Sequence, residues 1–207
     1  MASTKTKSIY SVHPGVVMVQ KWVETLPEKT GRSLEEWIAL VKKSGPKDEK
    51  ERREWLKANY KLGTNSAWWI AERAEGKGLE DSHPEMYLQA AEKYVEEMFS
   101  GSKSGLRPIY DQLLKIGLRI GKGVKACPCK TIVPLYRNHV FAQLKPSTRT
   151  RLDLGLSLGD MKVTLRLIDT GGLQKGDRIT HRIPISSLEE IDDEVRHWLK
   201  VAYDFDA

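Results

Sequence analysis

The chain has only two cysteines among its 207 residues, Cys127 and Cys129. Cysteines this close in sequence cannot form an unstrained structural disulfide, so nothing in the sequence indicates an oxidising compartment. No apolar run approaches the length that spans a bilayer, and the basic first residues are not followed by the apolar segment of an export signal. We therefore expect a cytoplasmic protein that does not cross a membrane.

The motifs of common enzyme classes are also missing. The sequence has no phosphate-binding loop ending in Gly-Lys-Ser/Thr, no nucleophile elbow and no His-Glu-x-x-His motif. Cys127 and Cys129, with His139 or His181, offer a few metal ligands. Structural zinc usually takes four ligands from paired clusters, and the sequence supplies no second pair. The sequence therefore predicts neither a cofactor nor a bound metal, and it favours a binding protein over an enzyme.

Positive charge is concentrated in one part of the chain. Residues 101–182 contain 16 Lys or Arg against 5 Asp or Glu, an excess larger than the net charge of +6 on the whole chain. A localised cationic surface implies an anionic partner, because Lys and Arg side chains neutralise phosphates. The alternative is a solvated sheet face, in which the charge serves solubility and prevents pairing between sheet edges.

Composition and periodicity divide the chain into four parts. Residues 1–15 show no periodicity and predict a flexible arm. Residues 16–75 place apolar side chains at helical spacing and predict a helical module. Residues 76–82 contain two glycines in a polar stretch and predict a linker, after which residues 83–207 form a second module.

Individual residues mark where helices of the first module begin and end. Ser33 and Glu36 have the spacing of a capping box, in which each side chain bonds the backbone N–H group of the other residue. Asp48 can cap the following helix, and Gly63 can end that helix in the left-handed conformation that glycine tolerates. With the apolar spacing, these signals predict four helices.

The second module combines helices with strands. After two predicted helices, the apolar period changes to two, and strands are predicted at 131–136, 140–145, 150–158, 162–167 and 179–185. A further capping box at 187–190 predicts a closing helix. The predicted fold class is therefore α+β: an N-terminal all-helical module plus a C-terminal module with an antiparallel sheet of four or five strands packed on helices.

The predicted strands would carry a grid of cationic side chains on the sheet face that is left open to solvent. Such a grid can meet phosphates at several points, and guanidinium groups favour bidentate contacts with them. The sequence thus predicts a nucleic acid or another polyanion as partner. The candidate anion-binding residues are Arg137, Lys145, Arg149, Arg151, Lys162, Arg166, Arg178 and Arg182.

A metal-dependent hydrolase or nuclease is an alternative function. Such enzymes hold Mg²⁺ between acidic residues on neighbouring strands, with a lysine two residues beyond an acid, and Asp153, Asp160 and Lys162 invite that comparison. The competing interpretation is that Asp160, which follows a glycine, is simply a turn residue.

A protein-interaction module is a further alternative. Trp68 and Trp69 are about 100° apart around a helix, so both cannot face one core, and one of them is predicted to contact a protein partner. Residues 55–70 also have the proportions of a DNA-binding helix-turn-helix, with Arg73 near the bases. A packed helical hairpin is the preferred interpretation, because the second helix is poor in exposed basic and amide side chains.

Short segments of both modules resemble known domains. The first module resembles a short helical domain of unknown function found in bacterial proteins, and the resemblance lies in residues 29–37, 55–57 and 62–63. The second module resembles the α+β domain that usually follows this helical domain and that also lacks an assigned activity. This resemblance lies in residues 133–137, 141–146 and 151–156. The resemblance implies an uncharacterised two-module family and supplies no catalytic residues.

Overall fold

The computed structural model describes residues 8–207, which form two compact units. The helical unit comprises residues 12–88, and the α+β unit comprises residues 8–11 together with 89–207. Across the described part of the chain, no helix is both long enough and apolar enough to cross a bilayer.

The unit boundaries differ from the divisions expected from the sequence. The predicted linker, residues 76–82, lies within the helical unit, where Leu79–Asp81 forms a short 3-10 helix. Residues 1–7 of the predicted arm lie outside the described residues. Tyr10, from the same predicted arm, is buried in the α+β unit, and its hydroxyl oxygen lies 3.0 Å from that of Tyr110.

Four helices build the helical unit and confirm the predicted helical module. They are α1 (Pro14–Thr30), α2 (Leu34–Ser44), α3 (Glu49–Tyr60) and α4 (Thr64–Ala74). A fifth helix, α5 (Pro84–Met98), begins in this unit. The apolar faces of α2, α3 and α4 meet in a core where Trp37, Leu56 and Ile70 are almost completely buried.

The helix starts of α2 and α3 follow the capping signals in the sequence. The backbone N–H of Glu36 donates to Ser33 Oγ at 3.2 Å, and the N–H of Ser33 donates to Glu36 Oε2 at 2.7 Å, so the capping box is complete. Asp48 Oδ1 accepts from the N–H of Glu51 at 3.1 Å and caps α3 as predicted. These bonds satisfy N–H groups that have no partner within the helix.

The end of α3 corrects one prediction. Gly63, expected in the left-handed conformation, has a φ of −64° and is the residue before α4. Lys61 takes the left-handed conformation instead, with a φ of 55°, and is the only non-glycine residue with positive φ among residues 8–207. The earlier turn lets Leu62, which is only 8% exposed, join the core of the helical unit.

The α+β unit is built on one antiparallel sheet of six strands in the order β1-β2-β3-β4-β6-β5. The strands are β1 (Lys125–Ala126), β2 (Val133–Tyr136), β3 (Val140–Pro146), β4 (Leu152–Leu156), β5 (Ile168–Asp169) and β6 (His181–Ile185). The helices that begin in this unit are α6 (Arg107–Arg119), the short α7 (Gly172–Lys175) and α8 (Asp193–Phe205). The predicted α+β class is confirmed, and short edge strands raise the strand number to six.

Strand β4 shows the predicted alternation of side chains. Leu152, Leu154 and Leu156 are completely buried on one face of the sheet. On the opposite face, a Cβ atom at Gly155 would lie 2.7 Å from Gln143 Cγ and 2.8 Å from Ile179 Cγ2. These two side chains cover the middle of the face that was expected to be open to solvent.

The predicted strand at 162–167 does not form. Val163 and Leu165, which were expected to face the core, are 58% and 99% exposed, and only Leu167 is buried. The hydroxyl of Thr164 donates to Glu194 Oε1 at 3.1 Å, so side-chain bonds replace a strand ladder here. An alternating pattern can therefore occur in a loop when a single apolar residue reaches the core.

The closing helix also begins later than predicted. The capping box expected at 187–190 is replaced by Asp192, whose Oδ1 accepts from the N–H of Val195 at 3.1 Å. Glu190 instead accepts from the N–H of Ser186 at 2.7 Å within a turn.

A buried carboxylate joins the end of α8 to the turn between β2 and β3. Asp206 Oδ2 accepts from the N–H groups of Asn138 and His139 at 3.0 and 2.8 Å, and its Oδ1 contacts the guanidinium of Arg178. Burial by itself would raise the pKa of Asp206, but the bonds from His139 and Arg178 outweigh it and hold the pKa below its ordinary value.

Replacing Lys61 with glycine should stabilise the helical unit. The left-handed conformation costs a non-glycine residue about 1–2 kcal/mol, and part of this gain is offset because glycine makes the unfolded chain more flexible. We expect a net gain of roughly 0.5–1 kcal/mol in the free energy of unfolding. Urea titration followed by tryptophan fluorescence measures it, since five of the six tryptophans lie in residues 12–88. Lys57→Gly, which places glycine inside α3, should instead lower the free energy of unfolding of the helical unit.

Replacing Asp206 with asparagine should destabilise the α+β unit by about 2 kcal/mol at neutral pH, because buried donors lose a charged acceptor. A carboxylate with a lowered folded-state pKa stabilises the fold above its unfolded-state pKa of about 3.9, and that stability disappears as the pH falls through the folded-state value. The difference in the free energy of unfolding between the wild type and Asp206→Asn should therefore disappear in acid. Urea titrations followed by circular dichroism at several pH values measure this difference. A difference that stays the same in acid would contradict the stabilising role of the charged Asp206 carboxylate.

Candidate anion-binding site

Four of the eight predicted cationic residues have carboxylate partners: Arg151, Arg166, Arg178 and Arg182. Arg151 and Arg182 share Asp153, whose Oδ1 lies 3.0 Å from Arg151 Nε and 3.2 Å from Arg182 Nη1. The hydroxyl of Ser147 also donates to Asp153, at 2.6 Å. One carboxylate is therefore shared by two of the eight predicted cations.

Arg166 and Arg178 are bound at the two ends of α8. Arg166 contacts the carboxylate of Asp192, and its Nη2 donates to the carbonyl oxygen of Glu190 at 2.7 Å. Arg178 contacts the carboxylate of Asp206. Both arginines therefore hold loops against the helix, and an incoming anion would compete with the carboxylates that already bind them.

The other four predicted residues have different surroundings. The Arg137 guanidinium lies 4.4 Å from the centroid of the Tyr203 ring, and its Nη1 donates to the Tyr203 carbonyl oxygen at 3.1 Å. Lys145, Arg149 and Lys162 are exposed. Considering the described residues, none of these three has an acidic group within 4.0 Å.

Lys145 lies in an open cleft with two further lysines. The cleft has a volume of about 470 Å³, and Lys103, Lys130 and Lys145 line it; we call it the lysine cleft. Lys103 comes from the 3-10 helix Gly101–Leu106, Lys130 from the loop between β1 and β2, and Lys145 from β3. The Lys103 ammonium donates to the carbonyl oxygen of Pro146 at 2.7 Å, which fixes its position.

The rest of the lining is mostly neutral and polar. Ser102 and Thr131, whose side chains carry hydroxyl groups, belong to the same lining as the lysines. Glu97 is the acidic member of the lining, and its carboxylate lies 3.6 Å from the ammonium of Lys93. The cleft therefore combines three cations with hydroxyl donors, which is the chemistry that binds phosphate oxygens.

The sequence identified Lys145 but missed Lys103 and Lys130 as members of this group. Lys103 and Lys130 lie outside the alternating strand pattern from which the candidate residues were chosen. The excess of positive charge in 101–182 includes both, but it does not show which lysines the fold brings together.

The carboxylates of the hydrolase alternative have other roles. Asp153 is occupied by two arginines and the Ser147 hydroxyl, as described above. Asp160 is exposed in the turn after Gly159, whose φ is 62°. Within residues 8–207, no group of three or more His, Cys, Asp or Glu side chains is arranged to hold a metal ion.

The cysteine pair lies at the edge of the sheet. Cys127 is buried, which raises the pKa of its thiol to about 12, and Cys129 Sγ donates to the carbonyl oxygen of Cys127 at 3.8 Å. A thiol with a pKa this high is protonated at neutral pH and is a poor nucleophile.

Helices α3 and α4 pack as the helical hairpin that was preferred over a DNA-binding motif. Arg73, which a DNA reader would use near the bases, is buried. Trp69 packs against Trp22 with the ring centroids 4.8 Å apart, whereas Trp68 is 42% exposed with the Arg53 guanidinium 5.4 Å from its ring centroid. Trp68 is therefore the exposed member of the pair, and its contact with a protein partner stays a prediction.

Comparison with known proteins identifies both modules as domains without an assigned function. A family model described as Domain of unknown function (DUF4287) matches residues 18–76. A second model, described as Domain of unknown function (DUF5655), matches residues 95–206, more than half of the chain. No curated protein and no solved structure matches the chain. The two matches, in this order, confirm the two-module resemblance seen in the sequence, and the chain belongs to the DUF5655 family.

Proposed function

We propose that the chain is a binding protein whose α+β unit holds the phosphate groups of a nucleic acid or another polyanion in the lysine cleft. The observation that supports this most directly is the meeting of Lys103, Lys130 and Lys145, from three separate segments, in one cleft. Within the described part of the chain, no acidic group lies within 4.0 Å of any of the three. Three ammonium groups in one cleft repel one another, and a bound polyanion relieves that repulsion.

The lining favours phosphates over a particular base sequence. Lysine ammonium groups are compact point charges that accept many phosphate orientations, and contacts to phosphates position a nucleic acid without reading its bases. The hydroxyls of Ser102 and Thr131 add neutral donors at the same place. We therefore propose binding that depends strongly on salt and weakly on sequence.

Arg149 extends the proposed surface beyond the cleft. It lies in the loop that joins β3 to β4, a few residues after Lys145, and it is exposed. A chain of phosphates that enters the cleft can continue towards this guanidinium. Arg151 and Arg182 are expected to contribute little, because Asp153 already binds both of them.

Neutralising the lysine cleft should reduce the salt dependence of binding. The test variant carries Lys103→Gln, Lys130→Gln and Lys145→Gln, which keep the polar side chains and remove three charges. If each lysine contacts one phosphate, the slope of log affinity against log salt should fall in magnitude by about 2 to 3. Fluorescence anisotropy with labelled single- and double-stranded DNA and RNA across a salt series measures this slope.

A charge-matched variant separates the cleft from net charge. Lys115, Lys122 and Lys175 are exposed lysines of the same unit that lie outside the cleft lining. Their combined replacement by glutamine should leave the slope close to that of the wild type. Equal slopes in the two triple variants would show that the lysine cleft has no special role, and no binding at low salt would refute the proposed function.

A further inference from the structure

A second basic cavity lies wholly within the helical unit, far along the chain from the lysine cleft. It has a volume of about 470 Å³ and is formed where the end of α1 meets the turn between α3 and α4. We call it the arginine cleft, and the lining residues that matter are Lys29, Arg32, Trp37, Tyr60, Lys61 and Ser66.

The cations of the arginine cleft have no acidic partner in the described residues. Lys29, Arg32 and Lys61 have no carboxylate within 4.0 Å there, and no Asp or Glu belongs to the lining. Elsewhere in this unit, basic side chains do pair with acids; Arg52, for example, lies 3.1 Å from Glu75. The absence of acids from this lining therefore leaves three positive charges available to one ligand.

Packing against two aromatic rings holds Arg32 in place. Its guanidinium carbon lies 5.0 Å from the centroid of the Trp37 ring and 5.6 Å from that of Tyr60, both within the range of a cation–π contact. The Trp37 ring is fixed in turn, because its Nε1 donates to Thr30 Oγ1 at 2.9 Å. A guanidinium positioned in advance loses little side-chain entropy when it binds an anion.

The neutral groups of the arginine cleft also supply donors. Ser66 Oγ accepts a hydrogen bond from Trp22 Nε1 at 3.0 Å, which leaves the hydroxyl hydrogen of Ser66 free to point elsewhere. Ser66 lies in the first turn of α4, where backbone N–H groups have no carbonyl partner within the helix. The cleft therefore offers three cations and several N–H or O–H donors to an acceptor-rich group.

The backbone conformation of Lys61 also supports a ligand site in this cleft. Its left-handed conformation, with a φ of 55°, is one in which glycine would be more stable. A residue held in a costly conformation within the lining of a cleft points to a function that outweighs this cost, and here lysine contributes one of the three charges.

We infer that the arginine cleft binds the phosphate group of a small phosphorylated molecule. A doubly charged phosphate presents several acceptor oxygens, which matches the donors described above. The cavity volume also falls within the range of about 300–1,000 Å³ that is usual for small-molecule sites. This site is separate from the lysine cleft and does not depend on the proposed function of the α+β unit.

The indole N–H groups of Trp22 and Trp37 provide a direct test. The Trp22 N–H donates to Ser66 Oγ and the Trp37 N–H donates to Thr30 Oγ1, and both acceptor residues belong to the cleft lining. Arg32 also packs over the Trp37 ring, so both indole signals in a ¹H–¹⁵N NMR spectrum should shift when the site fills. We expect a saturable shift of these two signals with inorganic phosphate and with adenosine 5′-monophosphate, and no shift with adenosine. The indole signal of Trp198, in the α+β unit, should stay unchanged in all three titrations.

Two single variants test the assigned residues. Arg32→Gln and Lys61→Gly should each weaken phosphate binding by about tenfold, the value of one charge-assisted hydrogen bond. Lys61→Gly is the more informative, because we expect it to be more stable than the wild type, so its weaker binding cannot result from unfolding. Lys42→Gln and Lys43→Gln, both exposed at the end of α2, serve as charge controls and should bind phosphate like the wild type.

Three results would overturn the inference. The first is that the Trp22 and Trp37 signals do not shift at millimolar phosphate, and the second is that chloride shifts them equally. The third is that both Arg32→Gln and Lys61→Gly bind phosphate with the affinity of the wild type. The lysine-cleft triple variant should show the same shifts as the wild type. If the triple variant loses them, the signals report on the other site, and the arginine cleft is not where phosphate binds.

Discussion

The pairing of arginines with carboxylates decides which cations of the α+β unit remain available to a ligand. Arginine forms bidentate, directional bonds with carboxylates. Asp153 binds two arginines of the sheet face, and Asp206 binds Arg178 at the end of α8. These carboxylates reduce the desolvation cost of the arginines and hold loops against helices. Lys103, Lys130 and Lys145 have no such partner among the described residues, and the fold brings these three cations together in one cleft.

The sequence predicted those parts of the fold that depend on local interactions. Helix starts marked by Ser33 and Asp48 were found where expected, because a cap needs only residues three positions apart. The alternation in β4 was also found, because it reflects burial of one face of one strand. The sequence could not show that Lys61 rather than Gly63 takes the left-handed conformation, since that choice depends on which residue reaches the core. For the same reason, alternation at 162–167 did not distinguish a strand from a loop.

The candidate site was less predictable, because its members are distant in sequence. The excess of basic residues in 101–182 lies in the same unit as the lysine cleft. However, Arg166 lies 26 residues from the acid that binds it, and Arg182 lies 29 residues from Asp153. Pairs at such separations depend on sheet order, which a single sequence does not specify. The position of Lys103 beside Lys145 likewise depends on how a 3-10 helix packs near the end of β3.

We propose that anions bind the unpaired lysines of the lysine cleft and not the carboxylate-bound arginines. The most direct measurement is the change in backbone amide signals of ¹⁵N-labelled protein as an unlabelled oligonucleotide is added at low salt. We expect the largest shifts in the α+β unit to come from residues 102–103, 130–131 and 145–149. Larger shifts at 162–166, 178 and 182 would contradict it, because they would show that the oligonucleotide displaces the carboxylates and binds the paired arginines.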